Sequence, residues 1–545
     1  MNKWWAPSKL FMGIEMQLAQ RLAMPSDKVI GMNTLTPEYV GSDLAFWVDS
    51  DGDSVFNRDM LASLEPSLIE DMRIEKGTIN IWLNTDNLIT FIMEQFQSSG
   101  PGFFLVDFPA ATLTTFAVEH TSLNTIFPIN IGTLRGSVIG NATATFLVKC
   151  GHRVGTHFWV EDLSKRNAVI LEGIKRLNLN LGDVARLRGK FDHELGRIYA
   201  SVIFSIKQIS ENEKKLNAMF PQAITRLMVP ECEAVSRIPV ENYVHSDLYI
   251  YIRDKFIEAF KETLNQVGIE IDYFDLEYPI FARYSVDPAE QSDYGQRNVY
   301  YFGDLIRLGY DKIISVVPIE MLAQPTKEES VLARVSTMLR DQFNAEDDQI
   351  QFVPYGKVLV GNGSRFVEES ISDGIFVSVD NLVGLIAIEF GVTRNVAASL
   401  MKVLLLSLDH NSYLEFDTSS KILDSYIYFR NILRQTLFTL SESSGQVNED
   451  EIPLATTRYL IREIFTLHSV LLQQIEVPQK ISPTVRVVFK IVEGFRSREN
   501  LIAKKYRLVL LLIFMLQETL ESLGIQGRVD DEFGDVRKLL HEALV

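Results

Sequence analysis

A strand–loop–helix–strand pattern beginning at Thr114 constrains the fold of this chain more than any other feature. Residues 115–118 are β-prone, residues 134–149 form a helical pattern, and residues 154–160 return to a strand pattern. Gly151 is placed to end the helix. A βαβ unit of this kind predicts a parallel sheet with its site at the carboxyl ends of the strands. The apolar side chains predicted to face the core recur every four residues: Leu134, Val138, Ala142 and Phe146.

The first 105 residues have a different, mixed pattern. Residues 79–83 alternate apolar and polar side chains, as a half-buried strand does, and Asp86 is the predicted cap of a helix that ends near Phe96. The turn-rich sequence at 98–102 then indicates a domain boundary. We therefore expect a small α+β domain ahead of the parallel sheet.

The remainder of the chain divides into helical and strand-rich stretches. Residues 172–267 are helix-rich and end in an amphipathic helix over 248–267, and the chain after about residue 416 is typical of an antiparallel helical bundle. Asp380 and Gly391 are the predicted start and stop of another helix. The intervening strand signals lie at 298–302, 312–317, 351–360 and 375–379. The fold class predicted is α/β plus all-α.

Composition restricts the class of protein. No apolar run in the 545 residues reaches the ~20 that a membrane helix needs, and the amino terminus has no secretion signal pattern. The two cysteines, Cys150 and Cys232, provide no disulfide framework. The net charge of −18 argues against a surface that binds phosphate throughout. We expect a cytoplasmic protein with neither a membrane nor DNA as its partner.

One basic block interrupts this acidic chain, between residues 480 and 507. Its pattern favours a solvated helical face, and a surface that contacts RNA is the alternative. Glu493 and Glu499 are the acidic residues within it. The candidate RNA contacts are Arg430, Lys480, Arg486, Lys490, Arg496, Arg498, Lys504, Lys505 and Arg507.

Metal sites receive little support from the sequence. Cys150, His152 and His157 straddle a helix end and a strand without a fourth ligand at the usual spacing, so we expect structural roles for them. The acidic stretch 49–53 has its glycine at the wrong place for a calcium loop. We predict no metal centre.

Several segments, in their order and spacing, resemble class I arginyl-tRNA synthetases. Residues 119–124 and 128–140 resemble the nucleotide-binding entry of that family, and 406–417 resemble the segment that leads into its anticodon-binding bundle. Weaker matches lie at 76–83, 151–162, 264–277, 300–316 and 374–382. The resemblance implies a Rossmann-like class I domain at 106–171 and 268–415, a helical insertion at 172–267, an amino-terminal tRNA-elbow-type domain at 1–105 and an anticodon-binding-type bundle at 416–545.

The resemblance also implies an arginine pocket. Glu119 and Asn124 match family residues that hold the polar groups of the substrate, and Tyr300 and Asp304 match the pair that recognises its guanidinium. A carboxylate suits this task because it forms charge-assisted hydrogen bonds with guanidinium. The alternative is an ordinary helix cap for Asp304 and a packed ring for Tyr300.

The phosphate end of the family's site is altered. Asn130 and Thr133 stand where the family has histidines, although Gly132 remains to allow close approach of a nucleotide. Arg135 is normal for the family and is a candidate either for phosphate binding or for helix capping. The family's basic lysine loop is replaced by an acidic stretch that includes Glu368, Glu369 and Ser370. Carboxylates repel a triphosphate, so adenylation is expected to be weak or lost, with ATP and Mg²⁺ bound only if activity is retained.

Three hypotheses follow from these sequence features. The first is an accessory or regulatory relative of the synthetases that binds arginine and tRNA, with a protein as a further candidate partner. The second is a divergent but active arginine–tRNA ligase. The third is a scaffold that uses its helical bundle to contact another protein.

Overall fold

The structure is a computed structural model, and it describes most of the chain between Leu113 and Ile525 together with short stretches before it. The described residues are 33–34, 44–47, 69–75, 78–87, 89–90, 113–163, 165–206, 245–285, 294–319, 331–346, 348–361, 366–368, 378–416, 421–442, 477–497 and 507–525, with single positions between 457 and 474.

The amino-terminal strands form an antiparallel sheet in the order β1-β2-β4-β3. They span Asn33–Thr34 (β1), Leu44–Trp47 (β2), Ile69–Glu75 (β3) and Thr78–Leu83 (β4). The predicted strand at 79–83 is therefore confirmed. The predicted cap at Asp86 is wrong, because the helix begins at Thr85 and the side chain of Asn84 accepts the N–H of Asn87 at 3.1 Å.

The central sheet is parallel, as predicted, with strand order β10-β9-β5-β7-β6 and with β8 also paired to β7. Its strands span Thr115–Glu119 (β5), Leu123–Asn124 (β6), Arg153–Glu161 (β7), Tyr273–Leu276 (β8), Lys312–Pro318 (β9) and Ile350–Tyr355 (β10). Pro354 is tolerated in β10 because β10 is an edge strand of this sheet.

Helix α1, Ile131–Lys149, connects β6 to β7 and is buried on almost every side. The four apolar residues predicted to face the core are all buried. Gly151 follows the last helical turn with a φ of +92°, a conformation that glycine adopts without strain. The predicted helix and its stop are confirmed.

Among the described residues between β7 and β10, seven further helices surround the sheet. They are Lys165–Arg176 (α2), Leu181–Val184 (α3), Phe191–Ile206 (α4), Asp247–Gln266 (α5), Glu277–Arg283 (α6), Tyr294–Arg307 (α7) and Val331–Phe343 (α8). The predicted amphipathic helix at 248–267 corresponds to α5.

The strand predicted at 298–302 is wrong, because these residues lie within α7. Its aromatic and β-branched residues suggested a strand. The buried positions follow the helical period instead, with Asn298, Val299, Tyr301, Phe302 and Leu305 directed into the core.

A small sheet in the order β12-β11-β13 lies beside the parallel sheet. Its strands are Val358–Gly361 (β11), Phe366–Glu368 (β12) and Leu414–Phe416 (β13). The single strand predicted at 351–360 is thus two strands, β10 and β11. They separate at Gly356, where an added Cβ would lie 2.3 Å from the carbonyl oxygen of Ser412.

Two consecutive helices, Val379–Phe390 (α9) and Arg394–Leu406 (α10), precede β13. The side chain of Ser378 caps α9, so the prediction of Asp380 as the cap is wrong by two residues. Gly391 ends α9 at a φ of +61°, as predicted. Of the strand predicted at 375–379, residues 375–377 lie outside the described residues.

The helices predicted after residue 416 are present as Lys421–Glu442 (α11), Ser482–Arg496 (α12) and Arg507–Ser522 (α13). Lys402 of α10 joins two helix ends, because its buried ammonium donates to the carbonyl oxygens of Gly268 at 2.9 Å and Gly524 at 2.7 Å. A cation suits this position because both carbonyls follow helix carboxyl termini, after α5 and α13.

Among the described helices, none is by itself long and apolar enough to cross a membrane. Helices α9 and α10 meet the length and composition criteria only when taken together, and they are bent by 104° at the break between them.

Candidate functional site

Glu119 ends strand β5 with its carboxylate almost fully buried, at 2% exposure. One carboxylate oxygen accepts a hydrogen bond from Ser122, and the other accepts one from Ser315 of β9 at 2.5 Å. Burial raises the pKa of Glu119 to about 7, although both hydroxyls and the nearby His157 oppose the shift. Small changes in the contacts of Glu119 therefore change the fraction of it that is ionised near pH 7.

His157 lies next to Glu119 because the two are register partners in β7 and β5, and register partners project to the same face of a sheet. Its Nδ1 donates to Asp275 at 2.7 Å, and its Nε2 lies 2.9 Å from the hydroxyl of Tyr310. Tyr301 also donates to Asp275, at 3.1 Å. The side chains of His157, Asp275, Tyr301 and Tyr310 thus form a polar band beside Glu119.

Sequence reasoning missed this band. The residues that form it come from β7, β8, α7 and the loop before β9, so only strand register brings them together. The sequence predicts a structural role for His157 without connecting it to Glu119, and Tyr301 is one residue beyond the predicted Tyr300. The alternation of β7 was the available signal, since it places His157 on the same face as Glu119 once the two strands are paired in parallel.

Tyr300 and Asp304 lie on α7 in a second cluster. Both oxygens of Asp304 accept from Nη1 of Arg283, each at 2.9 Å, and the Tyr284 hydroxyl lies 3.5 Å from one of them. The ring of Tyr300 packs against Tyr284 and Phe281, with centroids 5.5 and 5.9 Å away. Asp304 does not cap α7. Its carboxylate binds a guanidinium, which in this structure belongs to the chain itself.

The three predicted pocket residues whose side chains are described, Glu119, Tyr300 and Asp304, are therefore distributed over two clusters. Within the described part of the chain, no hydrogen bond or ion pair joins Glu119 to Asp304. Asn124 lies in β6, which pairs with the end of β7, and its side chain is outside the described residues. Helix α7 connects the two clusters. Its Tyr301 donates to Asp275 beside Glu119, and its Asp304 accepts from Arg283.

Asn130 and Thr133, at the family's histidine positions, form the amino-terminal cap of α1. The side chain of Asn130 accepts the N–H of Thr133 at 2.8 Å, and Asn130 is 1% exposed. The backbone of Asn130 also bridges Ser378, and the N–H of Val379 donates to Ile129 at 3.0 Å. Helix amino termini bind phosphate through free N–H groups, and here the side chain of Asn130 occupies the N–H of Thr133.

Arg135 is fully buried, with a pKa that burial lowers to about 10. Its guanidinium donates to the carbonyl oxygens of Gly356 at 2.8 Å, Ser412 at 2.5 Å and Asp409 at 3.0 Å. These bonds join α1 to the β10–β11 junction and to the loop before β13. This geometry favours a structural role for Arg135 over the predicted nucleotide contact.

The acidic stretch predicted to replace the lysine loop is described only in part. Glu368 is the last residue of β12, and its side chain is outside the described residues. Glu369 and Ser370 lie outside them entirely. The acidic character of this stretch is therefore known from its sequence alone.

A separate group of titratable side chains joins α4 to α9. Ligand atoms of Asp192, His193 and Asp380 lie within 4.8 Å of one another, a spacing that also suits a metal ion. The ammonium of Lys190 lies 2.9 Å from Asp380 and 3.4 Å from Asp192. Burial opposes ionisation of Asp380, but His193 and Lys190 outweigh it and lower its pKa to about 2. Lys190 supplies the positive charge here, so we interpret the group as an ion-pair network.

The candidate RNA contacts differ in solvent exposure and in the partners of their side chains. Arg486 is half exposed and pairs with Asp409 at 2.8 Å, while Arg496 lies over the ring of Tyr428. Lys480 and Lys490 are exposed. Arg430 is half-buried, and the side chains of Arg498, Lys504, Lys505 and Arg507 lie outside the described residues.

Comparison with known proteins places the fold in a class. The crystal structure of the Thermus thermophilus arginyl-tRNA synthetase superposes with a TM-score of 0.63 at 14% identity, covering 94% of this chain and 98% of that one. The Plasmodium falciparum arginyl-tRNA synthetase gives 0.62 at 13% identity, covering 95% and 98%. The chain therefore has the class I synthetase fold, a Rossmann-like parallel sheet with additional helical domains.

Sequence comparison is more specific. The chain is 28% identical over 297 residues to the arginine–tRNA ligase of Saccharolobus solfataricus, covering 48% of this chain and 46% of that protein. It is 30% identical over 181 residues to the arginine–tRNA ligase of Methanothermobacter thermautotrophicus, covering 29% and 31%. No protein-family model matches the chain. The predicted resemblance to arginyl-tRNA synthetases is confirmed, with alignments that span less than half the length of these curated relatives.

Proposed function

We propose that this protein binds arginine, either free or at the arginyl end of a charged tRNA, and that ATP-dependent aminoacylation is lost or weak. In this proposal the protein acts as an accessory or regulatory relative of arginyl-tRNA synthetases. We also propose the domain boundaries given above, a cytoplasmic location and a protein partner.

The proposal rests on the difference between the arginine end and the phosphate end of the expected site. The acidic groups expected to hold arginine are present and shielded from bulk water: Glu119 is buried, and Asp304 is 8% exposed and already accepts a guanidinium. At the expected phosphate end, Asn130 and Thr133 stand where the resemblance expects histidines, and the side chain of Asn130 caps its own helix. A site arranged in this way favours a cationic amino acid over a triphosphate.

The proposed tRNA-facing surface rests on the exposed cations of α12 and the residues just before it. Arg486 and Lys490 are four residues apart and therefore share one helix face, and Lys480 is exposed near the start of the same helix. Glu493 continues that face, which limits its positive potential. This supports moderate, salt-sensitive binding of RNA rather than a dedicated phosphate track.

Asp304→Ala is the variant that tests the arginine pocket. We expect its affinity for L-arginine, measured by calorimetry on the full chain, to fall about tenfold or more, because a charge-assisted hydrogen bond to guanidinium is lost. Asp341→Ala, on the exposed surface of α8, is the matched control and should bind as the parent does. Unchanged affinity in Asp304→Ala would remove the pocket assignment.

The second candidate function is a divergent but active arginine–tRNA ligase. It is favoured by the names of the relatives, since both curated relatives described above are arginine–tRNA ligases. The two functions differ in one respect only, which is whether arginine is activated with ATP.

A further inference from the structure

The guanidinium already bound by Asp304 comes from Arg283, the last residue of α6. Its Nη1 lies 2.9 Å from each carboxylate oxygen. The side chain of Arg283 is 54% exposed and that of Asp304 is 11% exposed. The Arg283 guanidinium therefore reaches a shielded carboxylate from the solvent side.

The groups around this contact suit a guanidinium. Tyr284 places its hydroxyl 3.5 Å from Asp304, and desolvation raises the pKa of Tyr284, which keeps the hydroxyl protonated and able to donate. The ring of Tyr300 packs against those of Tyr284 and Phe281. The guanidiniums of Arg307 and Arg297 already lie 5.6 Å from the Tyr284 ring and 5.8 Å from the Phe281 ring. Planar guanidinium groups lie favourably against aromatic rings, whereas a compact ammonium loses more hydration there.

We propose that Arg283 is an internal competitor that occupies the guanidinium-binding position at Asp304 until an arginine ligand displaces it. This inference rests on the proposed function, because it concerns the regulation of the same pocket. The ligand class it names is a molecule with a free guanidinium head, such as arginine or an arginyl ester. Arg283 touches the recognition carboxylate and no reacting group, so it controls access and apparent affinity.

The strength of the contact determines how large this effect is. An ion pair with one half-exposed partner is weak, so a ligand guanidinium can replace Arg283 without a prohibitive cost. The apparent affinity is nevertheless reduced by the fraction of molecules in which Asp304 is already occupied. Removing the Arg283 guanidinium should therefore tighten arginine binding about three- to tenfold.

Arg283→Met tests the proposal, because methionine keeps an unbranched apolar side chain and removes the guanidinium. L-Arginine is titrated into the full chain by calorimetry for the parent, Arg283→Met and Arg283→Lys. We expect the methionine variant to bind about three- to tenfold more tightly and the lysine variant to fall between it and the parent. Arg73→Met is the matched control, since Arg73 is 61% exposed and pairs with Asp71 far from this cluster in sequence; its affinity should not change.

The double variant Arg283→Met with Asp304→Asn separates a direct effect from a general one. If Arg283 acts through Asp304, the gain in affinity disappears in this background. Binding by the parent with equal or weaker binding by Arg283→Met would overturn the competitor proposal and leave the proposed function standing. Absence of arginine binding by both the parent and Arg283→Met would overturn both, whereas binding by Arg283→Met alone would support the competitor directly.

Discussion

Glu119→Gln is expected to lower arginine affinity about 100-fold while stabilising the folded protein above pH 7. The loss of affinity follows from the proposed pocket, because the carboxylate there loses its charge and its strongest hydrogen bonds to a cationic ligand. The gain in stability follows from burial. A buried carboxylate costs free energy to ionise, and glutamine can replace its hydrogen bonds with Ser122 and Ser315 without ionising.

The predicted gain in stability of Glu119→Gln depends on pH. The pKa of Glu119 is raised from its ordinary value of 4.5 to about 7, so the folded state holds a proton that the unfolded state releases between these values. The stability contributed by that proton is complete below pH 4.5 and is lost as the pH rises to about 7. The unfolding free energy of Glu119→Gln relative to the parent should therefore increase by about 3 kcal/mol between pH 4.5 and pH 8.

Urea unfolding at several pH values measures this difference, and calorimetry with arginine measures the binding. Glu258→Gln is the control, because Glu258 is exposed and should change neither quantity. A Glu119→Gln variant that follows the same stability profile as the parent would show that Glu119 is not a strained buried acid. One that retains full arginine affinity would place the ligand elsewhere.

Arg135→Met is expected to destabilise the fold by about 3–5 kcal/mol. The substitution leaves the buried carbonyl oxygen of Gly356 without its donor, which costs about 1–3 kcal/mol. It also removes the charge-assisted hydrogen bonds to the more exposed carbonyl oxygens of Asp409 and Ser412. Arg135→Lys should cost less, because an ammonium can still donate to part of this set. Denaturant unfolding followed by intrinsic fluorescence provides the measurement.

Arg486→Met is the matched control for Arg135→Met. Arg486 also contacts Asp409, but through the side-chain carboxylate and with half of its own side chain exposed, so its loss should cost less than about 1 kcal/mol. If Arg135→Met unfolded at the same denaturant concentration as Arg486→Met, the guanidinium would not be a structural cross-link. The candidacy of Arg135 for phosphate binding would then regain support.

The sequence predicted the elements whose signals are local. The strands and the helix around residues 115–160 carry clear periodicity, and Gly151 and Gly391 end their helices because positive φ angles favour glycine. The errors also have local causes. Ser378 and Asn84 cap helices ahead of the predicted Asp380 and Asp86, since several residues near each helix start can act as caps and only geometry selects among them.

The candidate site depends on long-range geometry, and the sequence predicted less of it. Glu119 was identified from the resemblance, but its partners Ser315 and His157 depend on the register of three strands. Asp304 was expected to face a ligand, and the neighbouring Arg283 can be assigned only once α6 and α7 are packed together. No pattern within a short window of sequence records either relationship.

The central proposal is that the arginine end of the site is retained while the phosphate end supports little or no ATP-dependent activation. Arginine-dependent exchange of pyrophosphate into ATP, in the presence of tRNA, tests it most directly. The parent chain is expected to give little or no arginine-dependent exchange above a reaction without arginine. The variant with Asn130→His and Thr133→His, assayed beside it, shows whether the family's histidines restore any activity. Robust arginine-dependent exchange by the parent chain would contradict the claim and identify the protein as an active arginine–tRNA ligase.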